Sequence, residues 1–134
     1  MDGVKIERIR MFQDARGKVF NPIPEEKLMS GTVRNIHIAT MRPGAVRGNH
    51  KHAEQTESIC FSGSIKLVVQ NQKGRQKKIE FQDYECVRVT ISPGIAHAFV
   101  NCGESDTFIV CSSDRETDSD SKERVPLISE IGHA

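Results

Sequence analysis

Residues 44–63 read G-A-V-R-G-N-H-K-H-A-E-Q-T-E-S-I-C-F-S-G, and this stretch decides how the rest of the chain is read. His50 and His52 stand two apart, and Glu57 follows on the far side of a short polar gap. A second block, Pro93–Asn101 (P-G-I-A-H-A-F-V-N), adds His97. Imidazole nitrogen and carboxylate oxygen are the ligands that zinc, iron, manganese and nickel take from proteins. Side chains two apart on a strand share a face, so His50 and His52 can close on one ion from a single strand. The four residues after His52 let the next strand bring Glu57 alongside, and His97 opens a further strand after a Pro-Gly turn. Three neutral imidazoles and one carboxylate leave a divalent ion with a net charge of about +1 and open positions for water or substrate oxygens. Gly44 and Gly94 suit tight turns just before the ligand strands.

Working outward, short β-prone runs alternate with Gly, Pro, Asn and Asp. The pattern predicts strands near Val4–Ile9, Gly17–Phe20, Val33–Met41, Glu57–Phe61, Ser64–Val69, Gln76–Phe81, Cys86–Ile91, Ala98–Asn101 and Thr107–Cys111. Asn71–Gly74 reads as a hairpin turn. Pro24–Leu28 is the one helix candidate, a single turn begun by proline and two acids. Many short strands with regular punctuation predict an all-β antiparallel sandwich or barrel, one domain over residues 1–112. Residues 113–134 form a charged C-terminal tail whose Ser113–Arg124 part carries no apolar anchor, the mark of a flexible or partner-dependent segment. Val125, Leu127 and Ile128 are the residues able to dock it onto the barrel or onto a second subunit.

The 134 residues fit one core, and 19 basic against 18 acidic residues give a net charge of +1. No basic face of the kind nucleic acid requires is present; Lys73–Lys78 (K-G-R-Q-K-K) reads as a solvated hairpin tip. No apolar run suits a membrane span, and the charged start M-D-G-V-K-I-E-R does not suit a signal peptide. The four cysteines form no C-x-x-C pair. They read as reduced, mostly buried thiols of a cytoplasmic protein, with Cys60 also weighed as a fifth ligand or redox thiol.

The two blocks resemble the motifs of the cupin superfamily. Gly44, His50, His52 and Glu57 match the first motif, with Gly63 one residue early; Gly94, His97 and Asn101 match the second. Pro93 stands one position later than the motif's proline, and Cys86 replaces an upstream glycine. These departures touch loop geometry more than ligands. The resemblance covers roughly residues 33–112 and implies a jelly-roll barrel with a divalent metal (Zn, Fe, Mn or Ni) at its mouth, held by His50, His52, Glu57 and His97.

A narrower likeness bears on activity. R-P-G-A-V-R-G-N-H-K-H with T-E-S-I-C-F-S-G is similar to the C-terminal cupin of capsule-biosynthesis sugar-nucleotide reductases, and to nucleotide-sugar ketoisomerases and dehydrorhamnose epimerases. Asp14–Phe20 (D-A-R-G-K-V-F) also resembles the epimerase opening. That implies proton transfer on a nucleotide-linked keto-sugar in polysaccharide biosynthesis, with His50, Arg47 and Tyr84 as catalytic candidates. Arg47 has two readings: a contact for a phosphate or enolate oxygen, or a rim residue shaping the R-G-N turn. If no metal is bound, His50 is freed to act as base. The epimerases resembled work without metal and use an aspartate and a tyrosine; here Tyr84 is the sole tyrosine and lies in a predicted loop. The metal-free ketoisomerases carry glutamine where this chain has Glu57, which favours a metal-loaded site. His37 is read either as lining the barrel mouth or as a dimer contact, and Phe61 and Phe99 as core. A metal-dependent dioxygenase and a non-catalytic sugar-binding accessory protein are the alternative functions. A homodimer is expected, with the Val4–Ile9 strand available for exchange or addition.

Overall fold

The computed structural model describes residues 1–116 and 121–130. His133, to which the sequence assigns no role, lies outside the described residues. Among the described residues, twelve strands and one short helix run in the order β1 (Val4–Arg8), β2 (Met11–Asp14), β3 (Gly17–Phe20), α1 (Glu25–Met29), β4 (Asn35–Met41), β5 (Val46–His52), β6 (Glu57–Ser62), β7 (Ile65–Gln70), β8 (Gln76–Glu80), β9 (Cys86–Ile91), β10 (Ala96–Asn101), β11 (Thr107–Ser113) and β12 (Lys122–Arg124). They form two five-stranded antiparallel sheets, β1-β9-β6-β11-β4 and β12-β5-β10-β7-β8, with β2 and β3 as a separate hairpin. This is the antiparallel jelly roll expected from the sequence.

Alternation explains the layers. Ile59 and Phe61, Val87, Val89 and Ile91, Leu67 and Val69, and Phe99 all face inward and are at most 2% exposed. Phe61 meets Phe81 and Phe99 edge-on, with centroids 5.3 and 5.8 Å apart, an arrangement aromatic quadrupoles favour. Phe61 and Phe99 are core, as read from the sequence; truncating either to alanine costs about 3–5 kcal/mol.

Asn71 closes the β7–β8 hairpin, its side-chain oxygen accepting from the Lys73 and Arg75 amides. The basic run beyond it is exposed. Pro24 stands at the start of α1, with Glu25 and Glu26 in the first turn where a helix favours acids. Among the described residues no helix is long and apolar enough to cross a membrane.

Two strands go beyond those expected from the sequence, β2 and β12, while β5 is the strand the sequence expects under His50 and His52. Of the two courses open to the tail, residues 121–130 follow the docked one. Lys122, Glu123 and Arg124 pair with His52, Lys51 and His50, so β12 covers the outer edge of the histidine-bearing strand.

The outer face of the first sheet is partly roofed by the chain between β3 and β4. A cleft of about 480 Å³ remains there, lined by Lys5, Glu7, Pro24, Ser58, Arg88 and Thr90 among others. Arg88 is 8% exposed. Its Nε and Nη2 donate to the carbonyls of Pro22 and Asn21 at 2.9 and 3.2 Å, and Nη1 lies 3.9 Å from the Glu7 carboxylate on β1.

Candidate metal and small-molecule site

Strand pairing assembles the predicted ligand set from both sheets. His97 sits directly opposite His50 in the β10–β5 ladder, while Glu57 opens β6 in the other sheet and faces them across the barrel. Ligand atoms of His50, His52, Glu57 and His97 all lie within 4.8 Å of one another. Ring centroids are 4.8 Å apart for His50 and His52, and 4.9 Å for His50 and His97. Glu57 Oε1 lies 3.3 Å from His97 Nε2, and Oε2 lies 3.5 Å from His52 Nε2.

Hydrogen bonding fixes what these atoms offer. His97 Nδ1 is 3.1 Å from the Ile95 carbonyl, and a carbonyl can only accept, so this contact requires the proton on Nδ1. In the neutral ring Nε2 then carries a lone pair. It is buried and has no hydrogen-bond partner, yet it points towards a carboxylate oxygen. Two electron-rich atoms face each other at a separation that a cation between them would relieve. Donors bonded to one ion at 2.0–2.1 Å in a tetrahedron stand roughly 3.4 Å apart, close to the two Glu57–histidine spacings. A hydrogen bond from the Gln55 amide to Glu57 Oε2, 3.0 Å long, orients the carboxylate as supporting residues do around metals. The donor set therefore fits a divalent ion.

The electrostatics agree. Burial pushes the His50 imidazole down to about 4, with His97 and His52 adding to the effect, so it is a neutral donor at neutral pH. Burial alone would raise Glu57, but N–H groups of His52 and His97 turned towards it, as when both rings are protonated and no ion lies between, outweigh it and hold the carboxyl far below its usual range.

A β-bulge aims the strand. His97 pairs with His50, but Ala98 pairs with Gly48, leaving Asn49 as the extra residue. Arg47 and His50 are three apart and in a regular strand would face opposite sides. The bulge turns both inward. Gly48 has φ 95°, and a Cβ there would lie 2.7 Å from the His97 carbonyl oxygen, so only glycine permits this approach. Asn49 takes φ 58°, a left-handed conformation that asparagine tolerates.

Beside the cluster lies a cavity of about 390 Å³, whose walls include His37, Ala39, Arg47, Phe99, Ile109 and Cys111 along with His50, Glu57 and His97. The structure thus brings Arg47 to the site, at its rim, where Nη2 donates to the Thr40 carbonyl at 2.9 Å. It also brings His37, which lines the cavity from β4, paired with Cys111. It does not bring Tyr84, which is 76% exposed in the turn between β8 and β9. That turn adjoins Cys86, the partner of Ser62, whereas Glu57 pairs with Ile91 at the opposite end of the same ladder.

Cys60 lies on the other face of β6 from Glu57, three residues away, and cannot be a fifth ligand. Burial, with Cys86 close by, pushes its thiol up to about 12, which removes the reactive-thiol reading as well. Sequence reasoning misses Gln55 as a support and assigns Asn49 only a part in the R-G-N turn. Their only signal is position, inside the gap between ligands and directly before the first one.

Comparison with known proteins follows the same line. The polysaccharide biosynthesis C-terminal domain family matches residues 12–123. No curated protein matches the sequence. Among solved structures, a dTDP sugar isomerase from Desulfovibrio desulfuricans superposes with a TM-score of 0.79 at 18% identity, covering 99% of this chain and 94% of that one. The rmlC epimerase of Mycobacterium tuberculosis gives 0.72 at 20% identity over 94% and 70%. A 3,4-ketoisomerase mutant from Thermoanaerobacterium thermosaccharolyticum, in complex with TDP-4-keto-6-deoxyglucose, gives 0.68 at 18% over 89% and 85%. These superpositions establish a shared fold, and the family match spans most of the chain: this protein belongs to the polysaccharide biosynthesis C-terminal domain family, built as a cupin-like jelly roll.

Proposed function

We propose that the protein is a metal-binding isomerase or epimerase of a nucleotide-linked keto-sugar. The observation that carries this reading is the buried, unpartnered His97 Nε2 set against Glu57, in a cluster that borders a cavity with Arg47 at its rim. The solved relatives named above as sugar isomerases and epimerases support the substrate class.

A divalent ion held by His50, His52, Glu57 and His97 supplies Lewis acidity towards adjacent keto and hydroxyl oxygens. Arg47 binds an anionic oxygen of the substrate through the guanidinium donors left beside its bond to Thr40. His37, on the wall away from the ligand strands, is the proton carrier. It takes the proton from the carbon next to the keto group, the C–H electron pair becomes the C=C bond of an enediolate, and the carbonyl π pair moves onto the keto oxygen. His37 then returns the proton to the former carbonyl carbon while the neighbouring hydroxyl proton passes to the former keto oxygen, giving the isomer. Alternatively, a water on the opposite face protonates the original carbon, giving the epimer, and the hydroxide left takes up the His37 proton. His50 is poorly suited to that role. As a ligand its lone pair is engaged, and as a free base its pKa of about 4 lies far from neutrality.

A homodimer belongs to the same proposal. Ile36, Ile38 and Phe108 are 54%, 64% and 45% exposed on the outer face of the β4–β11 edge, an apolar patch that a second copy would cover. Light scattering at micromolar concentration tests it, a monomer being the adverse result.

The test of the activity is solvent deuterium uptake. Protein prepared without chelator and incubated in D2O with a dTDP-4-keto-6-deoxy sugar is expected to label the carbon beside the keto group. Labelling falls about 100-fold or more in His37→Asn and after chelation. Absence of labelling across keto-sugar nucleotides, with stoichiometric metal bound, would reject the isomerase reading.

A further inference from the structure

Asn49 is 1% exposed, and every polar group of its side chain is engaged by the C-terminal segment. Its Oδ1 accepts from the amides of Leu127 and Ile128 at 2.9 and 3.0 Å. Its Nδ2 donates to the Ile128 carbonyl at 2.9 Å and to Glu130 Oε1 at 3.1 Å. Its own carbonyl accepts from the Val125 amide at 2.8 Å. The side chain and backbone of one buried residue therefore converge on residues 125–130.

The same residue is the extra member of the bulge. Its left-handed backbone and the close approach of Gly48 to His97 are what turn Arg47 and His50 to one wall. An isolated asparagine gains nothing from that conformation, so something must hold it there. Beyond the bulge, β12 pairs with His50, Lys51 and His52 in register, and Lys51 meets Glu123 at 3.0 Å. Residues 121–125 thus run along the outer edge of the second half of the ligand strand, from the Ala53 amide to the Asn49 carbonyl.

We infer that Asn49 is a positioning residue of the metal site, and that residues 121–130 act through it as a structural part of that site. The tether sets the bulge; the bulge sets the distance from His50 to His97 and Glu57, and the side of the strand from which Arg47 emerges. The inference rests on the metal reading for its consequence, and on the hydrogen bonds alone for its cause.

The experiment uses the full chain with Zn²⁺ as probe and two readouts. One is affinity, by competition with a chromogenic chelator; the other is amide hydrogen exchange across β5 in the chelated protein. Asn49→Gly keeps the left-handed backbone available and removes the tether. It is expected to weaken Zn²⁺ binding by about 10–100-fold, the range typical of lost supporting residues, and to speed exchange at residues 46–52. Asn49→Asp keeps the oxygen that accepts from Leu127 and Ile128 but sets a second acceptor against the Ile128 carbonyl and Glu130, so it is expected to recover only part of the loss. Leu127→Pro removes one of those amides; it should weaken binding in the parent chain and add nothing in the Asn49→Gly background, as members of one unit do. Equal affinity in Asn49→Gly and parent, or additive losses in the double variant, overturns the inference even if Zn²⁺ binds tightly. If the parent binds no divalent ion, the metal reading fails by itself, and exchange decides: unchanged β5 protection in Asn49→Gly overturns the tether, faster exchange sustains it.

Discussion

The cleft outside the first sheet is larger than the cavity inside the barrel, about 480 Å³ against about 390 Å³, yet the two differ in what their polar groups are doing. Outside, the buried charge is Arg88, and its guanidinium is committed to the Pro22 and Asn21 carbonyls. It ties the segment after β3 to the sheet. Inside, His97 is buried more deeply still, and one nitrogen has no partner, facing a carboxylate. A buried polar atom without a partner costs about 1–3 kcal/mol, so a fold keeps one where a ligand completes it. Size locates space; an incomplete set of polar contacts locates chemistry.

The sharpest way to break this contrast is to measure Zn²⁺ affinity in variants of both cavities. His97→Ala is expected to lose more than the roughly 100-fold that a supporting residue can cost, while Arg88→Ala stays within about twofold of the parent, because it touches no ligand. Comparable losses in the two variants would erase the distinction. Thermal unfolding with and without chelator follows from the same contrast. At a free ion concentration of about 1,000 times the dissociation constant, binding adds about 4 kcal/mol, a shift of roughly 10 °C or more for a domain of this size. The shift should appear in the parent and in Arg88→Ala and vanish in His97→Ala.

Arg88→Ala has its own expected cost of about 2 kcal/mol in urea unfolding of the chelated protein, because carbonyls it served are left without a donor. A neutral result would mean that the outer arginine is not structural.

Acid reaches the inner cavity through His50. The ordinary His50 pKa of 6.5 is lowered to about 4 in the folded chain. Between those values the unfolded chain binds a proton that the native one refuses, so stability falls as pH drops from about 6.5 to about 4. Glu57, also lowered, contributes stability that is present above the ordinary carboxylate range and lost as pH falls below it. The chelated protein should therefore melt at progressively lower temperature from about pH 7 to about pH 4, and His50→Gln should flatten the upper part of that profile. An unchanged slope in His50→Gln would assign the acid sensitivity elsewhere.

The smallest effect concerns thiols. Burial pushes Cys60 and Cys111 up to about 12 and raises Cys86, whereas Cys102 is exposed. Native alkylation at about pH 8, read by mass spectrometry, should mark Cys102 first and leave Cys111, on the inner cavity wall, unmodified. Early labelling of Cys111 would show that the inner cavity opens more widely than its walls suggest.

The convergence of the four side chains was legible because their spacing is local: two histidines on one strand and a glutamate after a short gap need no knowledge of the other sheet. His97 was legible for the same reason, standing after a Pro-Gly turn. What could not be read was anything that depends on a register change. Strict alternation places Arg47 and His50 on opposite faces, and only the pairing of Ala98 with Gly48 reveals the bulge that reunites them. The tail was ambiguous for a related reason: Ser113–Arg124 has no apolar anchor, and its docking depends on backbone pairing to β5 and on one asparagine, neither of which leaves a hydropathy signal. Tyr84 entered through resemblance of role, and the β6–β9 ladder sets it at the far end of the barrel. Cys60 entered through closeness in sequence to Glu57, which on a strand at odd spacing means opposite faces.

The tight approach at Gly48 also bears on how such a barrel diversifies. Any larger residue there would push β10 and its histidine away, so the β5 wall admits little variation one position at a time. The wall made by β4 and β11 has no such constraint: Ala39 and Cys111, beside His37, sit on regularly paired strands and can change size or polarity without moving His50, His52, Glu57 or His97. Variation in the shape of the cavity is therefore expected mainly along that second wall, and a library confined to Ala39 and Cys111 is the economical route to reshaping it.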